Sequence, residues 1–378
     1  MRRAYQRIGL LAIVAVMAAG VTLGARFLSE PGTKSPTAAA NQKTTVSPKP
    51  KPKPKPERTP FPTELRGVHI TMALASLRGK LDEYLALTGE GLNAIELDVK
   101  DENGEVGFLR PRVPLARATG AAHPYYNPYA VVRKLRAHGV YLIGRIVVFE
   151  DPVLTSKRPG MAIRTRDGGV WKTGAGLGWA NPFNRQVWKY DVDLAAAAAQ
   201  AGFDEIQFDY VRFPTDGDLS NAVFPGRTRQ PKTSIIAEFF NYASKRLKPL
   251  GVRLSADVFG LSATRNMGIG QRPAKLTPYL DAIYPMVYPS HFGPGEYNLP
   301  DPNAQPGRTV ALALRDFDVA LRGTKTRLVP WLQDFSLGRT YTIDDVRQQI
   351  QAARDAGAQG FMLWNAAGVY TQGALAGP

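Results

Sequence analysis

The chain contains no cysteine. That absence excludes disulfides, zinc ribbons, iron–sulfur clusters and thiol nucleophiles. Histidine is scarce, and none of His69, His123, His138 and His291 falls in an H-x-H or H-E-x-x-H pattern, so zinc hydrolase chemistry has no ligand set. There is no G-x-S-x-G elbow, no Walker lysine loop and no G-x-G-x-x-G after the first strand pattern, which removes the serine-hydrolase, P-loop and dinucleotide readings. Gly338 and Gly368 stand alone where a barrel enzyme for phosphosugars would carry a glycine-rich phosphate loop. No metal and no cofactor is expected. Basic residues interleaved with aromatics are missing too, so nucleic acid is not an expected partner.

What is present is 378 residues with 44% hydrophobic and 21% charged side chains, enough for one large globular domain with extensions. The net charge is +16, but +9 of it lies in residues 1–63 and only +7 in the remaining 315. After the basic stretch 1–7 comes an uncharged run, 8–25, at the lower limit for a helix spanning roughly 30 Å of hydrocarbon. Residues 1–28 therefore read as a signal anchor or signal peptide, with the uncleaved anchor favoured because Leu23-Gly24-Ala25 is a poor cleavage site. Residues 29–63 form a Pro/Lys-rich linker in which proline alternates with lysine over 48–56, an extended spacer and not a core element. The expected arrangement is a cell-membrane protein with an extracytoplasmic domain over 64–378, or a secreted one if the leader is cut. Its expected partners are the membrane, through the N-terminal segment, and anionic cell wall.

From residue 65 short apolar strands alternate with helical stretches. Strands are expected at 66–72, 92–100, 140–149, 203–213, 252–260, 282–289, 326–335 and 358–364, with helices between them ended by Gly139, Gly202, Gly251, Gly323 and Gly357. Eight such units in about 300 residues predict an α/β fold of the closed (β/α)₈ TIM-barrel type. Strand alternation then sorts the interior. Glu96, Asp98 and Lys100 are expected inside on the second strand, Gln207 and Asp209 on the fourth with Arg212 at the mouth, and Ser255 and Asp257 on the fifth. His69, Arg145, Tyr284, Tyr288, Trp331, Gln333 and Trp364 complete the ring. So polar an interior is costly unless it is used. Carboxylates ringed by aromatics (Trp171, Trp179, Phe213, Tyr288, Phe292, Trp331, Trp364) suit glycoside hydrolysis, which needs one carboxyl to protonate the leaving oxygen and one to attack or to activate water.

The stretches 66–69 (RGVH), 93–101 (NAIELDVKD), 208–214 (FDYVRFP) and 255–260 (SADVFG) resemble a bacterial family labelled "putative glycoside hydrolase", distantly similar to the α-amylase and α-galactosidase barrels. The resemblance runs from about 64 to 370. It implies that the strand-four aspartate, Asp209, is the nucleophile; amylase-type barrels place a glutamate after strand five, where this chain has Asp257. The catalytic candidates are Asp209, Asp257 and Asp98, with Glu150 and Asp151 in reserve. The substrate-binding candidates are His69, Arg145, Arg212, Tyr288, His291, Trp331 and Trp364. Arg212 is expected to pair with Asp209, and a retaining mechanism on an oligosaccharide or polysaccharide is expected. The alternative is a non-catalytic, membrane-tethered barrel that binds cell-wall or capsular polysaccharide.

Overall fold

The computed structural model describes residues 56–109 and 113–376. The expected anchor and most of the expected spacer lie outside these; among the described residues no helix is long and apolar enough to cross a membrane. The strands are β1 (Leu65–Ile70), β2 (Ala94–Lys100), β3 (Tyr141–Val147), β4 (Glu205–Asp209), β5 (Arg253–Phe259), β6 (Ala282–Met286), β7 (Arg327–Leu328), β8 (Trp331–Gln333) and β9 (Gly360–Trp364). All their pairings are parallel, and they close through β5–β6 and β9–β1 into one barrel. Both β7 and β8 pair with β6 and flank Pro330, so together they make the seventh barrel strand. Proline donates no backbone hydrogen bond, which explains why the continuous strand expected at 326–335 is interrupted.

The intervening helices are α1 (Met72–Ser76), α2 (Lys80–Ala86), α3 (Pro114–Thr119), α4 (Pro128–Ala137), α5 (Pro152–Lys157), α6 (Arg185–Ala201), α7 (Lys232–Leu247), α8 (Pro273–Leu276), α9 (Pro306–Leu321) and α10 (Ile343–Asp355). Their starts are written in the sequence. Asn127 and Asp151 cap α4 and α5 ahead of a proline in the first turn, and Thr342 forms a capping box with Asp345 at α10. Between β1 and β2 lie two short helices, α1 and α2, separated at Gly79, whose φ of 80° takes the chain out of the helix.

Alternation along the strands builds two cores. Outward residues meet the helices, as where Phe208 packs edge-on against Phe239 and Phe240 of α7 at centroid distances of 5.1 and 6.0 Å. Inward residues Leu65, Ala94, Tyr141, Ile143, Tyr284, Val329 and Met362 fill the half of the barrel nearer the strand starts. Phe61 plugs that end, with Tyr141 at 5.3 Å and the Arg327 guanidinium 4.0 Å above its ring. Arg58 donates to the carbonyls of Ala199 and Leu250, and the Thr59 amide donates to Asp204. Residues 56–63, read from the sequence as linker, are thus fastened to the barrel base. Phe61→Ala should cost about 3 kcal/mol, read as a lowered midpoint in denaturant unfolding; an unchanged midpoint would show that the plug adds nothing.

Candidate active site

The lower barrel is mostly apolar, with one buried acid, Glu205, which accepts from the Tyr141 hydroxyl at 2.8 Å; most of the polar inward residues stand nearer the strand ends. Asp98 on β2 is in register with Arg145 on β3. Arg145 donates from Nη1 to Asp98 Oδ1 at 2.9 Å and to Glu102 at 3.2 Å, and from Nε and Nη2 to Asp209 Oδ2 at 3.0 and 2.8 Å. A buried guanidinium bridging three carboxylates is well compensated. Asp209 receives a second donor, the Tyr210 amide, on Oδ1 at 2.7 Å. Tyr210, directly after Asp209, adopts φ 48°, a conformation costly for a non-glycine residue. Arg145 is therefore the partner of Asp209, and the expected Asp209–Arg212 pair does not form. Cross-strand neighbours decided the pairing where closeness in sequence suggested another.

Asp257 stands beside this group. The last registered pair of β4 and β5 is Phe208–Ala256, so Asp209 and Asp257 follow at one level on strands about 4.8 Å apart. Asp257 Oδ1 accepts from Gln207 Nε2 and from Trp331 Nε1, the latter at 2.6 Å. Burial, and then the neighbouring Asp209 charge, hold the Asp257 carboxyl well above the usual aspartate range. Trp331 is 2% exposed, so it serves Asp257 as a donor and offers no open stacking face.

His69 closes the ring from β1. Its Nδ1 lies 2.6 Å from Glu96 Oε2 and its Nε2 3.7 Å from Asp98, and its ring packs on Trp364 with a centroid distance of 4.6 Å. Burial pushes the His69 imidazole down to about 4 and the Glu96 carboxyl up. Lys100 departs from its expected inward position. A bulge between Asp98 and Lys100 turns the lysine out toward the helices, where it binds Asp151 at 2.8 Å and Asp191 of α6 at 2.6 Å, all three fully buried. Asp151, a reserve candidate, is thereby a partner of Lys100 and the N-cap of α5.

The rest of the mouth divides into packed and open groups. Trp171, Trp179 and Phe213 are buried and are not platforms, while Trp364 is partly open above the ring of acids. Tyr288, His291 and Phe335 form an aromatic cluster with centroids 5.2 to 6.0 Å apart, and burial pushes His291 down to about 4. Glu150, just past β3, is buried and is pushed up to about 8 by burial against the pull of Arg212. Among the described residues no His/Asp/Glu group is arranged to hold a metal ion. Cavities of about 540 Å³ beside Arg58 and Arg253 and about 450 Å³ along α10 lie away from these acids. Sequence reasoning missed Glu102, which lies beyond the strand pattern yet binds Arg145, and did not foresee that Gln207 would hold Asp257.

A family model described as "Putative glycosyl hydrolase domain" matches residues 67–370. The chain belongs to this family. The barrel also resembles several solved structures. The glycoside hydrolase domain of PgaB (BpsB) from Bordetella bronchiseptica superposes with a TM-score of 0.59 at 13% identity, over 80% of this chain and 94% of that one. The catalytic domain of a β-amylase from Paenibacillus polymyxa does so with 0.52 at 13%, over 83% and 95%. At such identities the likeness shows the fold alone. A hypothetical protein from Ruminiclostridium thermocellum is 37% identical over 50% of this chain and 97% of that one, with a TM-score of 0.47, too low to carry an argument. No curated protein matches the chain.

Glu150 gives this site a signature in stability. A carboxyl whose folded pKa is raised from 4.5 to about 8 binds more protons when folded, so it costs stability progressively as pH rises across that window. Glu150→Gln should match the wild type in Tm below pH 4.5 and exceed it at pH 9. An equal Tm at both would mean that the buried charge is already compensated.

Proposed function

We propose that this glycosyl hydrolase family member cleaves O-glycosidic bonds of an oligosaccharide or polysaccharide by a retaining, two-carboxylate mechanism. The observation that carries the reading is the unlike surroundings of two adjacent acids. Asp209 is bonded to the Arg145 guanidinium and the Tyr210 amide, whereas burial, and then the Asp209 charge, hold the Asp257 carboxyl well above the usual aspartate range. Retention calls for carboxyls about 5–5.5 Å apart, and inversion for roughly 6.5–9.5 Å. Asp209 and Asp257 stand on adjacent strands, and the separation of their carboxyls decides between the two.

In this mechanism Asp209 attacks the anomeric carbon while Asp257 gives its proton to the leaving oxygen. Asp257, now ionised, then takes a proton from water as the water displaces Asp209. Asp98 and Glu102 anchor Arg145 from the side away from the sugar, so Asp98 acts through Arg145 and not as the acid. His69 and Trp364 line the floor, and Tyr288 and His291 one wall. The N-terminal sequence supports an extracytoplasmic barrel on a membrane tether, with a lysine-proline spacer suited to crossing anionic wall.

Asp209→Asn should abolish release of reducing ends with the fold retained by circular dichroism. Asp257→Asn should lower kcat by about 10²–10⁴-fold and remove the alkaline limb of the pH profile, which in the wild type falls as pH rises through the raised Asp257 pKa. Turnover lost in Glu150→Gln but kept in Asp257→Asn would move the proton donor to Glu150. For location, proteinase K added to intact cells should release the barrel by cutting the spacer; a barrel degraded only after lysis would contradict the tether.

A further inference from the structure

Three buried cations serve the upper barrel, and they differ in how their charge is met. Lys100 has two carboxylates and Arg145 has three. Arg212, 6% exposed, forms no ion pair among the described residues. Its protein hydrogen bonds are two long ones from Nη1, to the Phe213 carbonyl at 3.3 Å and to Thr215 Oγ1 at 3.4 Å. Nε and Nη2 make no hydrogen bond, and neither is among the unpartnered atoms sealed from solvent. The guanidinium carbon is boxed by Trp179, Tyr210 and Phe259 at 4.9, 5.0 and 4.8 Å from their ring centroids.

Rings compensate part of a buried charge but do not satisfy its N–H donors. Glu150, past the end of β3, is an acid near enough for the Arg212 charge to pull on its carboxyl, which burial pushes up to about 8, yet the two form no ion pair among the described residues. The position is specific as well. Arg212 follows Asp209 by three residues at the end of β4, and Phe259, one wall of its box, follows Asp257 by two at the end of β5. Arg212 and its box thus stand at the same ends of β4 and β5 as the Asp209–Asp257 pair.

We propose that Arg212 is a subsite for the carboxylate of an acidic sugar, so that the glycan acted on contains uronic-acid-type units. The assignment rests on the glycosidase reading of the site. Two parallel N–H donors match the two oxygens of a planar carboxylate, and the aromatic box fixes the fork so that little rotamer freedom is lost on binding. Trp179 and Tyr210 hold the arginine; they do not touch the sugar's charge.

The test is binding of single sugars to the full chain, which needs no turnover. D-glucuronate and D-galacturonate are titrated against D-glucose and D-galactose, with ligand NMR and tryptophan fluorescence as readouts. The acids should bind about tenfold or more tighter than their neutral parents, as charge-assisted hydrogen bonds are worth. That preference should vanish in Arg212→Gln and shrink in Arg212→Lys, which keeps a point charge without the fork. If Arg212→Gln fails to fold, the lysine variant decides. Equal binding of acid and parent, no binding of either acid, or a preference that survives substitution of Arg212 overturns the proposal. Reducing ends released from neutral glycans are scored in parallel. Cleavage there without any acid preference removes the acidic-sugar assignment alone, and acid binding without cleavage of any glycan removes the glycosidase reading alone.

Discussion

Arg145 is the residue around which the upper barrel is organised. One guanidinium, buried on β3, draws Asp98 from β2, Glu102 from the loop after it and Asp209 from β4 into a single group. Three of these four charges are buried, and only Glu102 is partly open to water, so the loss of Arg145 would leave carboxylates buried without a cation at high cost. The register Asp98–Arg145 on adjacent strands brings the first pair together, and closure of the barrel makes that register obligatory. Asp257 then inherits its character from this arrangement. Next to an anchored anion, and without a cation of its own, it is the acid that stays protonated.

Two further features support this centre from a distance. The Phe61 plug and the lower layer, apolar apart from the Glu205 carboxyl bound by Tyr141, close the barrel's base. On the outer side, the bulge that sends Lys100 to Asp151 and Asp191 ties β2 to the N-cap of α5 and to α6. That tie fixes the start of the segment bearing Glu150 and Trp179, the groups beside Arg212. The mouth thus has one cation consumed in positioning Asp209 and one left open beside it.

Much of this was legible in the sequence. Alternation along ELD, QFD and SAD assigns Glu96, Asp98, Asp209 and Asp257 to the interior, because the period of two is a property of the strand itself. What alternation cannot carry is a break in it. The bulge at Asp98/Lys100 inserts one residue, and Lys100 changes sides. Pairing of charges is likewise hidden, since Arg212 is near Asp209 in sequence but Arg145 is near it across the sheet. Position after a strand did not reveal exposure either: Trp171 and Trp179 follow β3 yet are buried, Trp171 donating to the Asp218 carbonyl and Trp179 packing by Tyr210 and Arg212. Phe61, a single aromatic between two prolines, looked like spacer because its partners, Tyr141 and Arg327, are far along the chain.

The central claim is that one anchored aspartate and one neutral aspartate stand side by side. Carboxyl ¹³C titration of the full chain labelled at aspartate, with Asp257 assigned through Asp257→Asn, tests it directly. Asp257 is expected to titrate well above the ordinary aspartate value of about 3.9 and to move back toward it in Asp209→Asn, where the neighbouring charge is gone. An Asp257 that titrates in the ordinary range, or that is unmoved by the loss of Asp209, would contradict it.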